Sequence, residues 1–259
     1  MLLVIDVGNT NTVIGVYDKD SLKFDWRIRT ARETTADEFN VLANALFSDK
    51  GFDRMDVSRI IISSVVPSSV PILDGYCKKY LNQDPKWVNP EAVKQLMPIL
   101  YNNPEEVGAD RIVNAIAAYQ KYQCAMIIID FGTATTFDAV SGKGEYLGGA
   151  IVPGIMISSD ALFQKASRLP RVEVFKAPSR VIGKDTIGSI KSGIIHGNAA
   201  LADGMVERMN REMDGPVKVL ATGGLAVLIA GVSKTIETVE ASLTLEGLRI
   251  IAASLYDPS

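Results

Sequence analysis

The chain has 259 residues, of which 47% are hydrophobic and 22% charged, a composition typical of a globular protein. Its net charge is −3, from 27 basic and 30 acidic residues without a basic stripe, which argues against a nucleic-acid partner. No apolar run approaches the roughly 20 residues that span a bilayer, and the first residues lack a basic signal segment, so we expect a cytoplasmic protein without a membrane partner.

The first half of the chain alternates strands and helices. Apolar runs rich in β-branched residues predict strands at about 2–6, 12–18, 23–29 and 59–64. Apolar residues at helical spacing predict helices at about 35–47, 70–81 and 111–122. Ser68 or Ser69 is the expected cap of the second helix. Between about 84 and 107, four prolines and an Asn-Asn pair predict a connection without packed elements.

The second half repeats this order. Strands are predicted at about 125–130, 134–140, 145–152 and 217–221. A polar connection at 168–179 separates a helical region from a long helix at 185–212, and a last helix covers about 242–255. Each half is therefore a three-stranded meander followed by alternating helices and strands. We predict an α/β protein with two duplicated halves, residues 1–107 and 108–259, and a ligand cleft between them.

Two short stretches, residues 3–12 and 127–136, resemble each other. In each, an apolar run ends at an aspartate (Asp6 or Asp130) and a glycine follows two residues later (Gly8 or Gly132). The pattern predicts a strand, a tight turn and a second strand. Such a turn offers a carboxylate, open backbone and hydroxyl groups, which suits a phosphate and its metal ion. An ordinary hairpin turn also favours Asp and Gly, and remains the alternative for a single copy.

The first turn has the chemistry of a nucleotide-phosphate site. A carboxylate repels ATP, so Asp6 fits such a site only with Mg²⁺ between it and the phosphates. Gly8 permits close approach of the backbone, and the N–H groups of residues 9–13 are expected to line an anion-binding concavity. A later Gly pair, Gly223-Gly224, follows a buried strand and leaves room for a flat nucleotide moiety. Without a ligand, that pair is a simple strand–helix turn.

In the segment 106–111, a carboxylate (Asp110) and a guanidinium group (Arg111) stand side by side at a predicted helix start. Asp110 is expected to cap the helix that begins at Arg111. It is also a candidate proton acceptor for a substrate hydroxyl, while Arg111 is a candidate for holding an anionic group. The capping role does not exclude the chemical one.

The remaining reactive side chains suggest structural roles. Cys77 and Cys124 have neither paired spacing nor a neighbouring histidine, so we expect reduced, partly buried thiols and no zinc. His196 is the single histidine and stands among apolar residues, which favours a hydrogen-bonded structural residue over a catalyst.

Taken in order and spacing, the motifs of the whole chain resemble those of the type III pantothenate kinase family. The resemblance is carried by residues 6–11, 63–67, 101–104, 108–111, 130–134, 148–154, 185–186 and 222–224. It implies the actin/hexokinase/Hsp70-like fold of duplicated ribonuclease H-like halves, each a mixed sheet flanked by helices, with ATP in the cleft. It also implies ATP-dependent phosphorylation of pantothenate to 4′-phosphopantothenate, the first step of coenzyme A biosynthesis, in a cytoplasmic homodimer whose partner subunit helps enclose pantothenate.

The resemblance also implies roles for matching residues. Asp110 would be the proton acceptor, and Asp130 would ligate a monovalent cation, K⁺ or NH₄⁺. The ATP-binding residues would be Asp6, Val7, Gly8, Asn9, Thr10, Asn11, Thr12, Val13 and Thr133, with Mg²⁺ on the ATP. The pantothenate-binding residues would be Tyr101, Gly108, Ala109, Asp110, Arg111 and Thr186.

Three other functions use the same fold. A nucleotide-binding, kinase-like regulator would not need the set Asp6, Asp110 and Asp130 intact. A sugar kinase or polyphosphate hydrolase is disfavoured by the 108–111 motif and by the lack of a Cys/His metal cluster. An actin-like filament subunit would usually need a longer chain.

Overall fold

The structure is a computed structural model that describes residues 1–173 and 176–257. Its contacts divide the chain into two compact units. The first unit is Met1–Lys121 together with the C-terminal segment that begins at Leu243, and the second is Tyr122–Ser242. None of the helices in the described ranges combines the length and apolar character that crossing a membrane requires. Residues 174 and 175 of the predicted polar connection lie outside the described residues.

Among the described residues, each unit contains one five-stranded sheet. The strands of the first sheet are β1 (Leu2–Val7), β2 (Asn11–Asp18), β3 (Ser21–Arg29), β4 (Arg59–Ser64) and β5 (Lys86–Trp87). The strands of the second sheet are β6 (Met126–Phe131), β7 (Ala134–Val140), β8 (Tyr146–Pro153), β9 (Lys218–Thr222) and β10 (Thr238–Val239). The eight predicted strands are confirmed. The two-residue strands β5 and β10 were not predicted, because two residues are too short for an alternation pattern.

The two sheets have the same topology. Their strand orders are β3-β2-β1-β4-β5 and β8-β7-β6-β9-β10. The central strands β1 and β6 are each antiparallel to the next strand in the chain and parallel to a later one. The predicted duplication of a three-stranded meander followed by alternating helices and strands is therefore confirmed.

Helices flank both sheets. In chain order they are α1 (Ala36–Asp49), α2 (Ser69–Tyr76), α3 (Pro90–Val93), α4 (Ala109–Tyr122), α5 (Ile155–Lys165), α6 (Thr186–Asn210), α7 (Ala226–Ala230) and α8 (Leu243–Tyr256). A π-helical turn, Cys77–Leu81, extends α2, so the predicted helix at 70–81 is confirmed. Its predicted cap is confirmed in position only: Ser68 is the N-cap residue, but its side chain makes no capping hydrogen bond. Ser69 lies inside the helix, where its Oγ donates to the Val66 carbonyl.

The predicted connection at 84–107 was wrong in part, because it contains β5, α3 and a 3₁₀ turn, Pro104–Glu106. Pro90 and Pro104 stand at the start of helical turns. Proline is favoured at that position because the first N–H groups of a helix have no intrahelical partner. The prolines therefore mark helix starts as well as chain breaks.

The unit boundary differs from the predicted halves. The first unit continues past residue 107 through most of α4 and takes up α8 from the chain end. Helix α8 packs on β1, β2 and β4. It also lies close to α4: a Cβ on Gly247 would lie 2.6 Å from Val113 Cγ1, and Thr244 Oγ1 donates to Asn114 Oδ1 at 2.8 Å. This tertiary packing, rather than chain order, places α8 with the first sheet.

The alternation of the central strands sets the orientation of both aspartates. Leu3, Ile5 and Val7 of β1 lie in the core of the first unit, which includes side chains of α1 and α2. Ile127, Ile129 and Phe131 of β6 occupy the same positions in the second unit, together with side chains of α6. Neighbouring residues of a strand face opposite sides of a sheet. Each aspartate therefore faces away from its core cluster, at the carboxyl end of a central strand.

Candidate active site

Asp6 is held by a serine on the neighbouring strand. It lies opposite Ser63 of β4 and Val13 of β2. The Oγ of Ser63, which is fully buried, donates to Asp6 Oδ1 at 2.5 Å. A carboxylate that accepts a hydrogen bond from a buried neighbour has a restricted orientation. Ser63 lies in the motif stretch 63–67 but has no predicted role; its signal in the sequence is a polar residue at the end of an apolar strand.

The turn after β1 is tight and is held from one side. The Gly8 N–H donates to the Asn11 carbonyl at 3.0 Å, and a Cβ on Gly8 would lie 3.1 Å from that oxygen. Thr30, which follows β3, donates its Oγ1 to the Gly8 carbonyl at 2.7 Å and its N–H to the Thr10 carbonyl at 3.0 Å. Asn9 and Thr10 are exposed at the tip of the turn. The tip is therefore presented to solvent by a fixed backbone.

The predicted ATP-binding residues differ in what they can offer a ligand. Val7 and Thr12 are 2% and 5% exposed, and Thr12 Oγ1 shares a hydrogen bond of 2.9 Å with Thr30 Oγ1. These two residues can contribute backbone groups rather than side chains. Asp6, Asn11 and Val13 are half-buried. The side chains nearest to solvent are those of Asn9 and Thr10, at the turn tip.

Asp110 lies within the first turn of α4, which begins at Ala109. The predicted cap of a helix starting at Arg111 is therefore wrong by two residues. The Asp110 Oδ1 accepts a hydrogen bond of 2.8 Å from the Arg111 N–H. A Cβ on Gly108 would lie 2.7 Å from the same oxygen, so the carboxylate rests against bare glycine backbone. Arg111 itself is only 8% exposed.

The environment of Asp110 increases its affinity for a proton. Burial raises the pKa of this carboxyl above its ordinary value, while the N–H and the positive charge of Arg111 act in the opposite direction and do not cancel the effect. A carboxylate with a raised pKa is a stronger base than a solvated one. Its position and its environment both suit a proton acceptor.

The end of β4 connects Asp6 to the start of α4. The Val65 N–H donates to the Val7 carbonyl at 3.1 Å. Val65 Cγ1 lies 3.5 Å from the position that a Cβ on Gly108 would take. The carboxyl ends of β1 and β4 therefore adjoin the segment that leads into Asp110. The first unit thus brings together the turn with Asp6 and the 108–111 segment.

The two predicted pantothenate-binding residues outside the 108–111 segment lie in different units. Tyr101, in the first, is 36% exposed and stands between α3 and the 3₁₀ turn. Thr186, in the second, is the first residue of α6, after the N-cap Asp185, whose Oδ1 accepts from the Gly188 N–H at 2.7 Å. Thr186 lines a cavity of about 960 Å³ together with Ser158, Leu162, Lys184, Ser189 and Asn198.

Asp130 occupies in the second unit the position that Asp6 has in the first. It lies at the end of β6, opposite Thr222 of β9 and Thr136 of β7. Two glycines leave room for its carboxylate. A Cβ on Gly132 would lie 3.4 Å from Asp130 Oδ1, and a Cβ on Gly223 would overlap that atom. Gly223 also has a φ of +93°, which other residues rarely adopt.

Backbone carbonyl groups of the turn after β6 lie close to two other glycines, Gly223 and Gly154. A Cβ on Gly223 would lie 2.7 Å from the carbonyl oxygen of Phe131. A Cβ on Gly154 would overlap the carbonyl oxygen of Thr133 and lie 2.8 Å from that of Gly132. The segments that contain Gly223 and Gly154 thus pass close to the turn after β6. Thr133, the remaining ATP candidate, is exposed on this turn.

We predict that Gly154→Ala destabilises the protein and lowers its activity. The added methyl group meets backbone atoms of Thr133, which cannot rotate away as a side chain can. Thermal unfolding and turnover of the variant test this. Gly197→Ala is the control, because a Cβ there has no atom within 4 Å and alanine is favoured in a helix by about 1 kcal/mol. A Gly154→Ala protein as stable as the control would contradict the close approach.

The other reactive side chains have the environments expected of structural residues. His196 Nε2 bonds to the Pro178 carbonyl at 3.1 Å, so the predicted hydrogen-bonded role is confirmed. Cys77 is buried, Cys124 is partly buried, and both thiols are free. Within residues 1–173 and 176–257, no three His, Cys, Asp or Glu side chains are grouped to hold a metal ion. A cation at either aspartate would therefore need backbone, water or phosphate oxygens as further ligands.

Comparison with known proteins assigns the family. The family model of type III pantothenate kinase matches residues 2–208. The chain belongs to the type III pantothenate kinase family. A type III pantothenate kinase from Desulforapulum autotrophicum is 68% identical over 97% of this chain and 96% of its own length. One from Desulfatibacillum aliphaticivorans is 61% identical over 97% of both chains.

A solved structure supports the fold. A ROK family glucokinase from Streptomyces griseus, determined in complex with glucose and AMPPNP, superposes with a TM-score of 0.51 at 14% identity, over 96% of this chain and 98% of that one. The likeness confirms the actin-like ATPase architecture of duplicated ribonuclease H-like sheets. As a member of its family, the chain is a kinase that phosphorylates pantothenate with ATP in coenzyme A biosynthesis.

Proposed function

We propose that this pantothenate kinase uses Asp110 as the proton acceptor, with ATP phosphates bound by residues 6–13 and pantothenate bound by Arg111. The observation that carries the proposal is the first turn of α4. There, a carboxylate with a raised pKa accepts a hydrogen bond from the N–H of a nearly buried arginine. Tyr101, Gly108, Ala109 and Thr186 are proposed as further pantothenate contacts, and Thr133 as a further ATP contact.

The chemistry of phosphoryl transfer suits a carboxylate in this role. The transition state is loose, so positioning and charge neutralisation supply most of the catalysis. The bond between the γ-phosphorus and the bridging oxygen of ADP breaks as the pantothenate hydroxyl oxygen bonds to the phosphorus. Asp110 orients that hydroxyl and takes its proton late in the reaction. The raised pKa of Asp110 makes it a better acceptor at this stage.

Arg111 is proposed to bind the carboxylate of pantothenate. A guanidinium group matches a carboxylate with two parallel hydrogen bonds, and the pairing is stronger where water is excluded. Arg111 is 8% exposed and adjoins Asp110 in the chain, so binding there would place the substrate beside the proton acceptor. Its charge also opposes the effect of burial on the pKa of Asp110.

Asp6 is proposed to hold Mg²⁺ together with the ATP phosphates. Mg²⁺ keeps several waters and usually takes one or two carboxylates plus phosphate oxygens, so a single aspartate beside an exposed turn fits this ion. Bound Mg²⁺ would neutralise charge on the phosphates. Ser63 would keep the Asp6 carboxylate in place, through its hydrogen bond to Oδ1.

Asp130 is proposed to bind the monovalent cation, K⁺ or NH₄⁺. The carbonyl oxygen of Phe131 lies close to Gly223, which adjoins the Asp130 carboxylate, and the carbonyl groups of Gly132 and Thr133 belong to the turn that follows. Such a set of one carboxylate and several carbonyl groups suits a weakly hydrated monovalent ion. The bound cation would supply positive charge near the carboxyl end of β6.

We expect Asp130→Asn to weaken activation by K⁺. The amide keeps the size of the side chain but removes its negative charge, so the K⁺ concentration for half-maximal turnover rises by about tenfold or more. The measurement is turnover against K⁺ concentration at constant ionic strength. Asp214→Asn is the matched control, because Asp214 is exposed and lies after α6. An unchanged K⁺ dependence in Asp130→Asn would remove this residue from the cation site.

We further propose that the enzyme is a cytoplasmic homodimer and that the second unit supplies the interface. Its stretch from 147 to 187 carries many exposed apolar side chains: Leu147, Ile151, Met156, Ile157, Leu162, Phe163, Val181, Ile182 and Ile187. Exposed apolar groups in such number suggest a protein contact. The stretch includes residues beside Thr186, so a second copy there would help enclose pantothenate. Light scattering of the wild type and of Ile182→Asp tests the proposal, with a dimer for the first and a monomer for the second.

A single assay tests the reaction. Purified protein is incubated with ATP, Mg²⁺ and K⁺ and offered pantothenate, glucose or water while ADP is followed. We expect rapid ADP formation with pantothenate alone. ADP formed equally with all three acceptors would contradict the pantothenate assignment, and no ADP with any of them would indicate a nucleotide-binding regulator without phosphotransfer.

A further inference from the structure

An arginine outside the family motifs lies beside the proposed phosphate turn. Arg32 follows β3 and donates from Nη2 to Asn9 Oδ1 at 3.0 Å. Both side chains are exposed. A guanidinium group is therefore held at the tip of the turn to which we assign the ATP phosphates.

The segment that carries Arg32 is fixed at both ends. On one side, Thr30 makes hydrogen bonds to the Gly8 and Thr10 carbonyls and shares one with Thr12 Oγ1. On the other, Thr35 caps α1 in a reciprocal arrangement with Glu38. A short link between two anchored residues has little freedom. The backbone thus keeps Arg32 near the turn, while its long side chain can still move.

The charge at this turn favours a further cation. Asp6 contributes a carboxylate close to where the triphosphate is proposed to bind, and the phosphates themselves are strongly anionic. Asn9 offers the guanidinium group a neutral amide oxygen, which is a weaker acceptor than a phosphate oxygen. Exchange of one acceptor for the other needs side-chain rotation only. The hydrogen bond to Asn9 thus holds Arg32 next to the site without a strong ion pair to break.

We propose that Arg32 binds the γ-phosphate of ATP and stabilises the charge on the phosphoryl group during transfer, leaving Asn9 when ATP binds. This inference rests on the proposed assignment of residues 6–13 to the ATP phosphates. Arginine is suited to the task because its planar group donates two parallel hydrogen bonds to a phosphate and stays charged. Arginines that stabilise a transferring phosphoryl group have large effects on rate in other phosphoryl-transfer enzymes.

The test compares Arg32→Gln and Arg32→Lys with the wild type. We expect kcat/KM for ATP to fall about 100-fold in Arg32→Gln and less in Arg32→Lys, which keeps the charge. Binding of ADP, measured by calorimetry, should stay within about twofold, because ADP lacks the γ-phosphate. Arg211→Gln is the control: Arg211 is exposed and forms an ion pair with Glu207 at the end of α6. It should match the wild type in both measurements.

Three results would overturn the inference. The first is Arg32→Gln with kcat/KM for ATP near the wild-type value. The second is an equal loss of ATP and ADP binding, which would place the contact elsewhere than the γ-phosphate. The third is loss of the Arg32→Gln effect in an Asn9→Ala background, because Arg32 would then act through Asn9 alone.

A parallel variant separates this inference from the assignment on which it rests. Asp6→Asn should weaken binding of Mg²⁺-ATP if the turn holds the phosphates. Weakened binding in Asp6→Asn together with an unaffected Arg32→Gln overturns the role of Arg32 and leaves the turn assignment in place. Unchanged binding in Asp6→Asn would remove the turn assignment, and the inference with it.

Discussion

Replacing Asp110 by asparagine is expected to lower kcat by about 10²- to 10⁴-fold while ATP affinity stays near the wild-type value. The amide oxygen can still accept the hydrogen bond from the Arg111 N–H, so the local geometry is retained. What it cannot do is accept the proton of the pantothenate hydroxyl. Turnover is measured by ADP release and ATP affinity by calorimetry.

Asp84→Asn serves as the control for this prediction, because Asp84 is an exposed aspartate of the same unit. It should leave both measurements unchanged. Near-normal turnover in Asp110→Asn would show that another group accepts the proton, whatever the effect of the control.

Because the pKa of Asp110 is raised, we expect Asp110→Asn to be more stable than the wild type, although it is less active. Burial makes the folded protein bind this proton more tightly than the unfolded chain does. The resulting stabilisation is complete below the ordinary pKa of 3.8 and is lost as pH rises through the folded-state pKa. Above that ordinary pKa the unfolded chain loses this proton more readily than the folded protein does, so the wild type is less stable at neutral pH than at low pH. Asp110→Asn, which has no proton to lose, should therefore unfold at a higher temperature. The difference should disappear below about pH 3.

Replacing Arg111 by alanine is expected to raise the KM for pantothenate by about 100-fold and to leave the KM for ATP within about threefold. Loss of a buried, charge-assisted contact has an effect of this size. The effect is selective because we assign the pantothenate carboxylate, and no phosphate of ATP, to this guanidinium group. Initial rates with each substrate varied in turn provide the two constants.

The low exposure of Arg111 makes a second variant useful. Arg111→Lys keeps a positive charge but loses the paired hydrogen bonds of a guanidinium group, so an intermediate KM for pantothenate is expected. Thermal unfolding of both variants reports whether they fold. Folded variants with equal effects on the two KM values would refute the selective role of Arg111.

Much of the fold follows from the sequence because strong local signals coincide with the elements. Apolar β-branched runs give both meanders and the strands β4 and β9. The repeat of Asp and Gly gives the duplication, which the matching strand orders of the two sheets confirm. What the sequence does not give depends on tertiary contacts. Helix α8 joins the first unit because it packs on β1 and on α4, where Gly247 permits a close approach to Val113.

The candidate site, like the fold, contains residues that the sequence predicts and residues that it does not. Asp6, Asp130 and Asp110 are visible as acids at strand ends and at a helix start. The roles of Ser63 and Thr30 are not visible in the sequence, because they depend on strand register and on side-chain contacts across strands. The approach of Gly154 to the Thr133 carbonyl joins the end of β8 to a turn that precedes it in the chain. Such a contact in space cannot be inferred from the spacing of residues along the chain.

A crystal structure with AMPPNP, Mg²⁺ and pantothenate tests the central claim most directly. We predict the triphosphate on the turn at residues 8–11 and the pantothenate hydroxyl within hydrogen-bonding distance of an Asp110 carboxylate oxygen. The Mg²⁺ should lie near Asp6, and the carboxylate of pantothenate should contact Arg111. A pantothenate hydroxyl directed at another base, or a triphosphate bound away from the turn, would contradict the account.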